Sequence, residues 1–293
     1  MQKFKFSGHE TFICKQLWLK KGYDFLKEGN EFSDNDAIVK LGVGKNMVAS
    51  IKYWMKSMGL VNDTDLLNEI ANVILADGGF DPYIEDVGTI WLFHYLLVTS
   101  GYAAIYNIIF NDYIKIKNEF TKTGLQNYIK RITQEHNGNS YNEKTVSNDV
   151  SVFIRNYLMP GIEKSFSVED EHSGLLQSLN LIRNYKKQID GEKTIDYYLI
   201  ERMERDSLPK EVFLFALLAN NSYGDSVSLN ELVSGNNSVG NVFLLNRDGI
   251  YQKIEQLVNE YDFLSYSQTA GNPVLQFSLK PDPLTILANY YEN

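Results

Sequence analysis

The sequence predicts a mainly α protein with an N-terminal helix-turn-helix, a helical middle region and a C-terminal winged-helix domain carrying a β-hairpin. Three observations carry this. Apolar residues recur at spacings of three and four on either side of a glycine pair at Gly42 and Gly44. The run "IWLFHYLLVTSGYAAIYNIIF", Ile90 to Phe110, is apolar on nearly every side, as a helix buried in a core is. Clear strand-like alternation is confined to two short runs near the C-terminus, "LSYSQ" and "VLQFSLK", flanking the turn residues "TAGNP".

Taken in order, the first helix is expected to begin at "FSGHETF", where Ser7 and Glu10 have the spacing of a capping box. A short helix over 35–41 and a second from Lys45 or Asn46 to Met58 enclose the Gly42-Val43-Gly44 turn, because glycine lets the chain reverse sharply. The buried helix around His94 follows; a histidine among Leu92, Phe93, Tyr95 and Leu96 reads as hydrogen-bonded packing. Further helices are expected over 125–134 and 145–158, separated by the polar loop "EHNGNSYNEK" and closed by Pro160. In the C-terminal part, helices at "KEVFLFALLANNS", "SLNELVSG" and "RDGIYQKIEQLVNEYDFL" precede the hairpin. Boundaries are placed at 1–61, 62–207 and 208–293.

The lone cysteine, Cys14, has no partner for a disulfide or a metal cluster, and no uncharged apolar run is long enough to span a membrane. The expected compartment is the cytoplasm, with no membrane partner. Net charge is −9, which by itself argues against a polyanionic ligand. The charge is sorted, however. Residues 1–61 hold ten lysines against six acids, 62–112 hold eight acids and no base, and 113–158 hold seven bases against four acids. Such asymmetry can outweigh the total where one face meets a partner.

The stretch "LGVGKNMVASIKYW" resembles a phosphate loop only superficially. Aligned on Gly44 and Lys45, the first required glycine falls on Val39 and the required hydroxyl on Asn46. Read as a helix-turn-helix, its second helix buries Met47, Val48, Ile51, Met55 and Met58 and presents Lys45, Ala49, Lys52 and Lys56 as one row, with Asn46 and Tyr53 beside it. That row suits a major groove. The competing readings of the same face are a protein contact or a plain solvated surface. A second basic group, Lys130, Arg131, Lys144 and Arg155, stands ready to cooperate.

Catalysis finds little support. His9 lacks a second histidine four residues on, where Ile13 stands. Asp81, Glu85 and Asp86 offer carboxylates for a magnesium nuclease, but "DGEK" at 190–193 has a nuclease motif's letters without its strands. No catalytic residue, metal or cofactor is expected.

The motifs "FSGHETF", "WLKKGYD", "LGVGKNMVASIKYW", "DPYIEDVGTIWLFHYLL", "VSNDVSVFIRNYL" and "VEDEHSGLLQSLNLI" together resemble the bacterial domain-of-unknown-function family 4007, with Lys15 where that family usually carries an arginine. The resemblance implies a place beside genes of DNA phosphorothioation and phage defence, and hence a DNA-linked role; it implies no activity. The expectation is therefore a non-enzymatic DNA-binding adaptor touching duplex DNA through Lys45, Asn46, Lys52, Tyr53 and Lys56. The acidic middle and the winged helix would hold protein subunits of the defence complex or a second copy. The alternative is a protein-interaction scaffold for a modification enzyme that never binds DNA. Lys52 and Lys56 decide the matter: if they are shielded by carboxylates of their own chain from any approaching polyanion, the proposal of DNA binding through this helix-turn-helix collapses.

Overall fold

The computed structural model describes residues 4–135, 141–159, 174–189, 193–267 and 273–292. The chain is mainly helical, with two small antiparallel three-stranded sheets. Helices α1 (Trp18–Lys27), α2 (Ala37–Leu41), α3 (Lys45–Ser57) and α4 (Glu69–Leu75) come first. Next are α5 (Val87–Thr99), α6 (Ala104–Ile108), a π-helical turn (Ile109–Tyr113) and a closing turn, α7 (Ile114–Ile116). Strand β1 (Glu119–Phe120), α8 (Lys122–Glu135), α9 (Glu143–Tyr157) and a 3-10 turn (Leu175–Leu179) lead into the strands β2 (Arg183–Ile189) and β3 (Lys193–Leu199). The C-terminal part runs α10 (Lys210–Ala219), β4 (Ser226–Ser228), α11 (Leu229–Ser234), α12 (Val239–Val242), α13 (Arg247–Val258), β5 (Leu264–Ser267), β6 (Val274–Phe277) and α14 (Pro283–Glu292). Sheet orders are β1-β3-β2 and β4-β6-β5.

Packing explains this arrangement. One hydrophobic core runs from Ile13 to Leu287 and crosses both proposed domain boundaries. His94 is its polar pivot. Fully buried on α5, it faces the Tyr157 hydroxyl through Nδ1 at 2.8 Å and the Val242 carbonyl through Nε2 at 2.7 Å. A carbonyl only accepts, so Nε2 carries the hydrogen and Nδ1 accepts from tyrosine. That ties the middle of the chain to its C-terminal part. Burial lowers the imidazole pKa to about 4, against the opposing pull of the Val242 bond. Among the described residues, no single helix is long and apolar enough to cross a membrane.

The structure departs from the sequence reading in several places. Ile90 to Phe110 is not one helix, because the chain bends by 92° between α5 and the helix that follows, with Gly101 at φ 69 in the break. Nor does Ser7 cap a helix. Ser7, Glu10 and Thr11 all have left-handed backbones, and α1 begins only at Trp18. The Ser7 amide instead donates to both oxygens of Asp149 at 3.1 Å, which holds the N-terminal strap on α9. Gly8 is required there: an added Cβ would stand 2.6 Å from the Tyr53 ring. Residues 136–140 of the polar loop after α8, Pro160 and all of "TAGNP" but Pro273 lie outside the described residues.

Candidate nucleic-acid interface

Helices α2 and α3 flank the Gly42-Val43-Gly44 turn. Gly42 takes φ 64, and Gly44 is extended just ahead of the first residue of α3. Val48, Ile51, Met55 and Met58 are buried, and Met47 is half-buried. Lys45, Asn46 and Ala49 are exposed.

The rest of the expected row is absent. Lys52 Nζ lies 2.7 Å from Asp65 Oδ2 and Lys56 Nζ 2.8 Å from Oδ1, and Lys56 also donates to the Asp63 carbonyl at 2.9 Å. Asp65 reaches them because the Asn62 side chain accepts from the Thr64 and Leu66 amides and folds the loop back, with Asp65 itself at φ 64. Burial pushes the Asp65 carboxyl up, but the two ammonium groups outweigh it and hold the pKa below the ordinary value. Only 12% of the Lys56 side chain is exposed, so it presents little charge to an approaching polyanion. Tyr53 is likewise corrected. It is 3% exposed, edge-on to His9 at 5.5 Å and to Trp54 at 5.1 Å, and burial raises its phenol pKa. The three-lysine row reduces to Lys45 with Asn46.

A larger basic surface lies on the sheet β1-β3-β2 and on α8. Strands β2 and β3 pair from Arg183↔Leu199 to Ile189↔Lys193, and Arg183, Asn184, Tyr185, Lys186, Lys187 and Gln188 are all exposed. Tyr185 stacks on its cross-strand partner Tyr197 at 5.6 Å and 18°, and Lys187 Nζ lies 5.6 Å from the Tyr197 ring centre. Tyr185 also donates its hydroxyl to Glu119 on β1 at 2.5 Å, which pins the strands together.

An aromatic ladder fastens α8 to this sheet. Tyr128 meets Tyr113 at 4.8 Å, Tyr113 meets Phe120 at 5.9 Å, and Phe120 stacks on Tyr198 at 5.5 Å. On α8, Arg131 lies over Tyr128 and Lys130 over Tyr141. The exposed bases of this surface are Lys115, Lys117, Lys122, Lys130, Arg131, Arg183, Lys186 and Lys187. The acids set among them are Asp112, Glu119, Glu135, Asp196 and Glu201, the last 3.5 Å from Arg183. Among the described residues, Lys115, Lys117, Lys122 and Lys186 have no ion pair. Of the second basic group expected from sequence, Lys130 and Arg131 therefore belong to this face. Arg155 instead donates to the Thr11 carbonyl at 2.5 Å and secures the strap.

The polar pairs that resemble catalytic groups are already occupied. The Thr11 amide donates to His9 Nδ1 at 3.1 Å, so Nε2 carries the hydrogen and donates to Asp149 at 2.8 Å, leaving no free nitrogen for base chemistry. Asp81 accepts from the Glu85 amide at 2.9 Å, the Asp86 amide at 3.0 Å and the Thr89 hydroxyl at 2.6 Å, as a carboxylate securing the start of α5 does. Asp86 caps α5 through the Gly88 amide and accepts from Tyr290. Among the described residues, no group of three or more His, Cys, Asp or Glu could hold a metal ion.

Comparison with curated proteins finds no match. Two solved structures are similar over nearly the whole chain. An SspB crystal structure has a TM-score of 0.84 and 26% identity, covering 99% of this chain and 88% of that one. A magnesium ion-bound SspB crystal structure has a TM-score of 0.83 and 25% identity, with the same coverage. The family described as "Protein of unknown function (DUF4007)" matches residues 6–291, and the chain belongs to it.

Proposed function

We propose that this protein is a non-enzymatic DNA-binding adaptor of a bacterial DNA-modification or phage-defence system. It grips duplex DNA through the β1-β3-β2 sheet and α8, with Lys45 and Asn46 as a lesser contact. One observation carries the reading: eight exposed bases face five acids on elements that a largely buried aromatic ladder fastens together. Binding of this kind rests on phosphate neutralisation, so it is salt-sensitive and weak in sequence preference. A two-stranded ribbon with stacked tyrosines fits a groove as well as a helix does.

We read the C-terminal order α10, β4, α11, α12, α13, β5, β6 as a winged helix with a protein-binding role. On α13 the bases are the exposed Arg247, which donates to Asn230 at 3.2 Å, and the mostly buried Lys253; the acids Asp248 and Glu255 of the same helix balance them, so it offers a groove little net basic charge.

Fluorescence anisotropy with a labelled duplex at low salt tests the proposal. Reversing two charges in K186E/K187E weakens binding by about tenfold or more, since contacts to charged groups are each worth roughly 1.5–3 kcal/mol. Unchanged affinity in that variant contradicts the proposed face, and no duplex binding by the native protein favours the scaffold.

A second reading, magnesium-dependent DNA cleavage, is favoured by one observation: one of the two similar structures is magnesium ion-bound. Magnesium is often held by one or two carboxylates with water completing its shell, so it does not require a large acidic cluster. Nicking of supercoiled plasmid in magnesium that stops in EDTA replaces the adaptor reading with this one.

A further inference from the structure

Lys253 on α13 is a mostly buried lysine whose amine opens on a cleft. It is 7% exposed, and among the described residues its ammonium makes no hydrogen bond or ion pair. It lines an open cleft of about 540 Å³, together with Asp206, Lys210, Glu211, Gln256 and Glu260. The cleft also borders the first turn of α10, a ten-residue helix that follows Pro209 with no side chain capping its N-terminal amides. The Lys253 amine and the uncapped amides of α10 thus meet at one opening. A largely desolvated lysine without a paired anion favours binding one, and a helix start with free amides attracts negative charge.

We propose that this cleft binds a small oxyanion of single negative charge, a phosphodiester or carboxylate group, held between the Lys253 ammonium and the first turn of α10. The charge follows from the neighbours. Lys210 is already engaged by Glu211 at 2.8 Å and Glu260 at 3.0 Å, and Asp206 stands at the same opening. A dianion would meet three carboxylates with only one uncommitted cation to offset them, whereas a monoanion is matched by Lys253. The titration of Lys253 agrees with the geometry. Burial lowers its pKa, Asp206 and Glu211 pull it back up, and Lys210 pushes it down. A bound anion raises it. This site is separate from the basic sheet and does not depend on the DNA-binding reading.

The test follows the lysine ε-carbon NMR signals of the full-length protein during titration with dimethyl phosphate, acetate and, as the dianion, inorganic phosphate at pH 8. The Lys253 signal is expected to move saturably with dimethyl phosphate, acetate or both, and the stronger of the two identifies the ligand class. K253M should weaken binding at least about tenfold, as loss of a charged hydrogen bond does. E260Q, which removes a competing carboxylate, should strengthen it severalfold, an effect a purely structural lysine would not produce. No saturable shift with any probe overturns the proposal, as does an undiminished saturable shift of the Lys210 signal, in the same cleft, in folded K253M, or tighter binding of the dianion. Should K253M fail to fold, E260Q decides: a gain in affinity supports the site and an unchanged affinity overturns it.

Discussion

Acid should loosen this fold through His94. The residue is wholly buried, and its pKa falls from the ordinary 6.5 to about 4 because burial disfavours the imidazolium. Between those two values the unfolded chain binds a proton that the folded chain refuses, so lowering the pH favours unfolding. The His94 contribution is present in full above about pH 6.5 and lost as the pH falls to about 4. At 1.36 kcal/mol per pH unit of difference, that loss is roughly 3 kcal/mol, a large fraction of a typical folding free energy. His94→Phe provides the reference. It keeps a ring of similar size but strands the Val242 carbonyl and the Tyr157 hydroxyl, each costing about 1–3 kcal/mol at neutral pH. Urea unfolding of both proteins at pH 7 and pH 4 should show the native protein's advantage shrinking by about 3 kcal/mol. An advantage that is constant or grows at pH 4 refutes the neutral, doubly bonded histidine.

Two further outcomes test the local geometry. Asp149→Asn weakens the acceptors for the Ser7 amide and His9, so limited proteolysis should cut the strap over residues 6–12 faster, while thermal unfolding begins at a lower temperature. An unchanged cleavage rate would show that the strap is held elsewhere. Asp65→Asn releases Lys52 and Lys56; because this pair of contacts is partly exposed, the stability loss should stay within about 1 kcal/mol by chemical denaturation. Since the carboxyl pKa is depressed, that small contribution is present near neutrality and disappears as acid protonates Asp65.

What the sequence revealed and what it hid have physical causes. The amphipathic face of α3, the packed His94 and the order of C-terminal helices and hairpin were legible, because each depends on periodicity or turn chemistry within a short window. The spacing of Ser7 and Glu10 misled, because the partner of the Ser7 amide is Asp149, 142 residues away, and no local pattern announces such a bond. Lys52 and Lys56 seemed free because Asp65 falls beyond Val61, within the acidic block, and only the folded loop brings it back. The ribbon of β2 and β3 was missed for another reason. Exposed residues crowd β2, so apolar-polar alternation is faint there, and Arg183, Lys186, Lys187 and Lys193 stand near Asp190, Glu192 and Asp196 in sequence, so no net positive block marks them.

The central claim is that the ribbon, rather than α3, neutralises phosphates. The most direct measurement is the slope of log affinity for a duplex against log salt concentration, in the native protein, K186E/K187E and K45E. Each lost phosphate contact reduces the steepness by about 0.9, so K186E/K187E should flatten the slope by roughly 2 while K45E changes it by at most about 1. A native slope preserved in K186E/K187E and flattened mainly in K45E contradicts the claim and returns the contact to α3.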